Sequence, residues 1–120
     1  IETLRDSLSA ADLHLVSLGD DMSGIVHPCK IYGALSMGCP ILTLGPKESY
    51  LIDILHDNDI GWAVKHGDTT AAVTALKVAA NQTQEARAAI GQLAQQVATD
   101  KFGRTALITK FLATVLKPEV

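Results

Sequence analysis

Residues 13–44 decide the fold. Leu13-His14-Leu15-Val16-Ser17-Leu18 is followed by Gly19-Asp20-Asp21-Met22-Ser23-Gly24, then by a segment from Pro28 to about Met37, then by Pro40-Ile41-Leu42-Thr43-Leu44. The first run is apolar, six residues long and preceded by Asp12, so it reads as a short buried strand. The second is a polar loop with a glycine at each end. Pro28 marks a helix start, because its missing N–H costs nothing in a first turn. Gly38 suits the C-terminal cap of that helix. Pro40 to Leu44 is a second strand, closed by Gly45-Pro46. A strand, a helix and a strand in succession call for parallel pairing with the helix as crossover.

The flanks continue this alternation. Upstream, Leu4, Leu8 and Ala11 sit at helical spacing over residues 1–11. Downstream, Ser49 to His56 forms a helix with Leu51, Ile52 and Leu55 inward, and Gly61-Trp62-Ala63-Val64 is a third strand. After the turn His66-Gly67-Asp68, Asp68 or Thr69 caps a helix over residues 69–81. A helix from Thr83 to about Lys101 carries Ala86, Ile90, Leu93 and Val97. The last, from about Arg104 to Leu116, carries Leu107, Ile108, Phe111, Leu112 and Val115. No repeat or low-complexity segment interrupts them. The expectation is an α/β fold, a Rossmann-like parallel sheet with helices on both faces. Three strands are few for that architecture, since parallel strands need covered faces and paired edges. Further strands preceding residue 1 are therefore expected. The alternatives are a domain with a small sheet or a dimer that pairs strands between chains.

Composition narrows the function classes. The chain has 120 residues, enough for one small domain. It is 48% hydrophobic but only 4% aromatic, so the core must be built from Leu, Ile, Val and Ala. The net charge of -3, with no basic stripe interleaved with aromatics, argues against nucleic acid. Cys29 and Cys39 lack the C-x-x-C spacing of a disulfide framework or zinc site, and reduced thiols in a cytoplasmic protein are the plain reading. No apolar run approaches the roughly 20 residues needed to span a bilayer. The opening Ile1-Glu2-Thr3-Leu4-Arg5-Asp6 has neither a signal-peptide pattern nor an initiator Met, so the chain is expected to start inside a larger protein.

Open α/β sheets bind ligands beyond the carboxyl ends of their strands. Here the loop Gly19 to His27 leaves the first strand and feeds the helix at Pro28. Helix N-termini present free N–H groups and the positive end of the macrodipole, which suits a phosphate. Lys30 adds a positive charge in the first turn, His27 a hydrogen-bond donor, and the glycines a close backbone approach. The plainer alternative has Lys30 solvated, Gly24 making a turn and His27 filling a surface gap. Asp20 and Asp21 repel anions; solvation suits adjacent aspartates better than metal binding does. Glu48 faces the cleft or caps the next helix. Tyr32 is expected to pack, Trp62 to cover the edge of the core, and Cys29 to be a small buried residue.

The stretch Ser23-Gly24-Ile25-Val26-His27-Pro28-Cys29-Lys30-Ile31-Tyr32-Gly33-Ala34-Leu35-Ser36-Met37-Gly38-Cys39-Pro40-Ile41 resembles the donor-site segment of group 1 (family 4) retaining glycosyltransferases, close to G-[LI]-V-x-P-S-K-x-Y-G-x-[LA]-A-x-G-[RK]-P. Leu8-Ser9-Ala10-Ala11-Asp12-Leu13 resembles the family's L-x-x-A-D-[LV] strand entry. Gly61-Trp62-Ala63-Val64-Lys65-His66-Gly67-Asp68 resembles its G-[WLF]-x-V-x-x-G-D segment, and Lys101-Phe102 its [KR]-[FY] pair. Order and spacing together extend the resemblance over nearly the whole chain. Two features depart from the pattern. Many members carry two glutamates with seven residues between them, the second often holding the nucleotide ribose, where this chain has Ile25 and Gly33. Cys29 and His27 replace a common Ser and a common apolar residue.

The resemblance implies a GT-B protein with two facing Rossmann-like domains. Residues 1–120 would be the C-terminal part of the nucleotide-sugar-binding domain, with residues 83–120 as closing helices. It implies a part of a transferase that moves sugar from a nucleotide-sugar donor to a glycan or lipid-linked acceptor, as in polysaccharide biosynthesis. The acceptor would be held by a missing N-terminal domain, so the fragment alone is expected to be inactive. Donor binding would fall to Ser23, Gly24, Ile25, His27, Lys30 and Gly33. No cofactor and no metal are expected. The implied location is cytoplasmic, with peripheral association of the parent at the inner face of the membrane. The alternatives are a degenerate, non-catalytic nucleotide-sugar-binding module, a GT-B nucleotide-sugar epimerase, and a receiver-like regulatory domain. The last needs more acidic residues at strand ends than Asp20 and Asp21 provide.

Overall fold

Parallel strands must return to the same end of the sheet between pairings, which takes a crossover of a dozen or more residues. The chain makes two such crossovers. The computed structural model describes residues 2–116. In it α1 (Glu2–Ser9) leads to β1 (His14–Ser17), α2 (Lys30–Ser36), β2 (Ile41–Leu44), α3 (Tyr50–His56) and β3 (Gly61–Val64). Three helices follow: α4 (Thr69–Ala80), α5 (Gln84–Phe102) and α6 (Arg104–Val115). The strands form one sheet in the order β1-β2-β3. Both pairs are parallel, with His14 opposite Ile41 and Ile41 opposite Gly61. The chain is thus an α/β protein with a three-stranded parallel sheet. Residue 1, where the first helix was expected to begin, lies outside the described residues.

Side chains alternate across the sheet, and the two faces are unequally covered. On one face Val16, Leu18 and Ile41 meet Ile31, Ala34 and Leu35 of α2, Leu51 and Leu55 of α3, and Ala94 and Val97 of α5. Each fully buried Leu or Ile here contributes about 1.5–3 kcal/mol of transfer free energy. The other face is smaller: Leu42, Val64 and Ala75 of α4, with Leu13, Leu44 and Trp62 partly buried against them. Leu15 therefore stays 49% exposed, and β1 is half-buried, not the fully buried strand its apolar run suggests. His14 N donates to Pro40 O and Leu18 N to Leu44 O. By alternation, the peptide groups of Leu15 and Ser17 face the outer edge of β1, away from β2.

Three helical faces differ from the sequence expectation. In α3 the inward residues are Leu51, Ile54 and Leu55, and Ile52 is only half-buried. In α5 the buried residues are Gly91, Ala94 and Val97, while Leu93 is exposed. Small residues are what let this helix approach α2: a side-chain carbon on Gly91 would lie 2.5 Å from the Gly38 carbonyl oxygen. Gly38 ends α2 with φ +70°, a left-handed conformation that favours glycine. In α6 no residue is buried at all. The Asp68 cap follows expectation, whereas α2 begins at Lys30, two residues after the proline expected to mark its start. Asp68 Oδ1 accepts from Ala71 N at 2.9 Å to open α4, and Thr83 Oγ1 accepts from Ala86 N at 3.1 Å to open α5. Among the described residues, no helix is long and apolar enough to cross a membrane.

Candidate functional site

The three loops at the carboxyl ends of the strands are tied to one another. Ser23 Oγ donates to the Glu48 carbonyl at 2.9 Å, joining the loop after β1 to the loop after β2. His66, just beyond β3, reaches past the end of β2, and its Nε2–H donates to the Leu18 carbonyl at 2.8 Å. Gly45 N donates to Val64 O at 3.1 Å. The loop after β1 begins as a short 3-10 turn, Asp20–Met22, whose two aspartates are exposed. It then passes through Gly24 at φ +79°, where an added side chain would meet open space. Ile25 is the most solvent-exposed large apolar residue of the loop, at 77%.

That loop delivers the chain to α2 with the helix end open to solvent. Cys29 and Lys30 are exposed, and Pro28 is half-buried. At a helix start the first peptide N–H groups have no intrahelical acceptor, so those of Cys29 and Lys30 stand free of the helix ladder. The Lys30 ammonium donates to the Leu15 carbonyl at 3.2 Å, on the outer edge of β1. It thereby covers one of the edge acceptors and keeps two N–H donors. Gly33 lies one turn further on. A side-chain carbon there would come within 2.9 Å of Leu8 Cδ1, so α1 fills the space beside it. A side chain at this position would require the end of the Leu8 side chain to shift.

His27 is engaged by aromatic rings. It stacks on Tyr50 with ring centroids 4.2 Å apart and planes at 10°, and its Nε2 is hydrogen-bonded to the Tyr32 hydroxyl. Tyr32 in turn packs on Phe102 of α5 at 5.0 Å. This cluster clamps the start of α2 onto α3 and α5. Burial raises the Tyr32 hydroxyl above its ordinary pKa, with a smaller push from Cys29. The same causes, burial first and then Tyr32 and Cys29, push Tyr50 up to about 12. Cys29, expected to be buried, is exposed, because the first turn of α2 points its side chain outward; its Sγ–H donates to His27 O at 3.4 Å. The buried thiol is Cys39, which donates to Ala11 O at 3.2 Å and is raised by burial and then by Asp12.

Two residues at the strand ends escaped the sequence reading. Lys47 and Lys65 line a cleft of about 310 Å³ with Ala63, Val64 and Asp68. Each follows the end of a strand by one to three residues, and that position was the available signal. His66 was read as a turn residue, and its bond to Leu18 spans 48 positions, beyond any local pattern. A cleft of about 520 Å³ lies between α3, α5 and α6 and includes no residue of the loop 19–27. Among the described residues no three His, Cys, Asp or Glu side chains converge to hold a metal ion. No protein-family model matches the chain, and no curated protein or solved structure is significantly similar to it.

Proposed function

We propose that the chain is the donor-binding part of a sugar-transferring enzyme of GT-B architecture, and that the loop 19–27 and the start of α2 hold the diphosphate of a nucleotide-sugar. The observation that carries this reading is the solvent-open N-terminus of α2, which follows a glycine-containing loop at the carboxyl end of a parallel strand. The family resemblance over residues 8–68 supports it independently. On this reading the N–H groups of Cys29 and Lys30 and the Lys30 ammonium bind phosphate oxygens. Negative charge grows on the leaving diphosphate as the sugar transfers, so donors already in place there stabilise the transition state more than the ground state. Ser23 and Gly24 shape the loop around the ligand, and His27 orients the helix start through its ring contacts. The acceptor, a glycan or lipid-linked molecule, belongs to a facing domain of the parent, at the cytoplasmic side of a membrane.

The lack of a carboxylate at Ile25 and Gly33, where many members of the resembling family carry glutamates, favours a second reading, a degenerate nucleotide-sugar-binding module without transfer activity. Calorimetric titration of the parent protein with nucleotide-sugars of different bases, paired with a turnover assay, separates the two. Binding with transfer supports the enzyme; binding without transfer supports the module. No binding of any donor refutes both. Lys30→Ala should weaken donor binding by roughly tenfold, the loss of a charge-assisted hydrogen bond. Unchanged affinity would remove Lys30 from the site.

A further inference from the structure

The cleft lined by Lys47 and Lys65 takes no part in the donor site: it includes no residue of the loop 19–27 or of α2. It lies beside β3, between α3 and α4, and holds about 310 Å³. Three segments supply its basic lining: Lys47 from the loop after β2, His56 from the end of α3, and Lys65 just beyond β3. Its apolar lining comes from Ile52, Val64 and Ala71. Ile52 is only half-buried in the fold because its side of α3 borders this cleft. The acid in the lining is Asp68, and its carboxylate is engaged as the cap of α4, accepting from Ala71 N. Among the described residues neither Lys47 nor Lys65 pairs with a carboxylate. Lys30 and Lys101, by contrast, rest on acceptors of the chain itself.

We propose that this cleft binds a phosphate monoester with an apolar organic part. The positive excess is local: the chain as a whole carries a net charge of -3, yet two ammoniums meet a single carboxylate here. The first turn of α4 borders the cleft, so the positive end of its dipole adds to theirs. Two lysines match the two charges of a phosphate monoester, which each contacts as a point charge. The apolar lining adds affinity only for a ligand that has apolar surface to bury. A volume of about 300 Å³ is the lower end for small-molecule sites, which suits a single ring or a short chain. The segment carrying Lys65 is held before any ligand arrives. Gly45 N donates to Val64 O at 3.1 Å, Asp68 N to Lys65 O at 3.1 Å, and His66 Nε2–H to Leu18 O at 2.8 Å. Binding therefore costs little ordering of the backbone. The site is independent of the nucleotide-sugar reading.

Titration of the isotope-labelled 120-residue chain with phenyl phosphate, followed by amide chemical shifts, tests it. Shifts are expected at Val64, Lys65, Asp68 and Thr70, with a Kd of about 1 mM or tighter, as a ligand of this size allows. Inorganic phosphate, benzoate and benzyl alcohol should each bind at least tenfold more weakly. Lys47→Ala and Lys65→Ala should each weaken phenyl phosphate by about tenfold, the loss of one charge-assisted contact. Lys77→Ala, near the far end of α4, should leave it unchanged. The titration of the unaltered chain decides even where a variant misfolds. No shift at about 10 mM phenyl phosphate, well above the expected Kd, overturns the proposal. Equal binding of inorganic phosphate or benzoate does so too, as do shifts centred on Cys29 and Lys30, which would assign the ligand to the start of α2.

Discussion

Gly91→Ala sets two opposing effects against each other at the contact between α2 and α5. Glycine in the interior of a helix costs about 1 kcal/mol relative to alanine, so in an exposed helix the substitution would stabilise. Here the added carbon falls 2.5 Å from the Gly38 carbonyl oxygen and 3.5 Å from its carbon. Contacts under 3.0 Å are essentially never seen for real Cβ atoms, so something must shift. Gly38 cannot easily yield: it holds φ +70° and its N–H is bonded to Leu35 O at 2.9 Å. Overpacking of this kind costs about 1–3 kcal/mol, and against rigid backbone the upper half of that range applies. The net expectation is a loss of about 1–2 kcal/mol, or a Tm lower by roughly 4–8 °C. Urea denaturation followed by circular dichroism measures it, with Gln92→Ala on the exposed side of α5 as a control expected within about 0.5 kcal/mol of the parent chain. If Gly91→Ala proves as stable as the parent chain or more so, α5 does not rest on the end of α2, and the packing of the main core described above is wrong.

Two further outcomes follow from individual contacts. Asp68→Ala removes the acceptor for Ala71 N and should cost about 1 kcal/mol; faster amide exchange at Ala71, with β-sheet amides unchanged, would locate the loss in the first turn of α4. Tyr50 titrates at about 12 in the folded chain against 10.0 ordinarily. Above pH 10 the unfolded chain has lost a proton that the folded chain keeps, so ν_U is below ν_N and stability falls as pH rises through this window. Below pH 10 both states are protonated and Tyr50 adds no pH dependence. The Tyr50 hydroxyl is also buried without a hydrogen-bond partner among the described residues. Tyr50→Phe should therefore leave stability at neutral pH unchanged or higher, and flatten its decline between pH 10 and 12. An equally steep decline in that variant would assign the effect to another group.

The order of elements was legible because boundaries carry their own chemistry: Pro28 precedes α2 by two residues, Gly38 closes it in the left-handed region, and Asp68 and Thr83 cap their helices by accepting from Ala71 N and Ala86 N. Which face of a helix turns inward was less legible. Hydrophobicity alone points α5 inward through Leu93, yet the helix buries Gly91 and Ala94, because close approach to α2 rewards the absence of a side chain. The same limit applies at the site. Residues 19–30 can be placed at a strand end by local pattern, but partners cannot. Lys30 meets Leu15, His27 meets Tyr50, and His66 meets Leu18 across distances in sequence that no periodicity encodes. These partners also change what the residues can do. A histidine stacked between tyrosines is a structural clamp before it is a donor to a ligand. A lysine seated on an edge carbonyl must trade that bond, or share its remaining hydrogens, to hold a phosphate. Since that exchange replaces one neutral acceptor by a charged one, it is favourable when the anion arrives. The Leu15 contact therefore parks the ammonium at the sheet edge without removing it from the proposed chemistry.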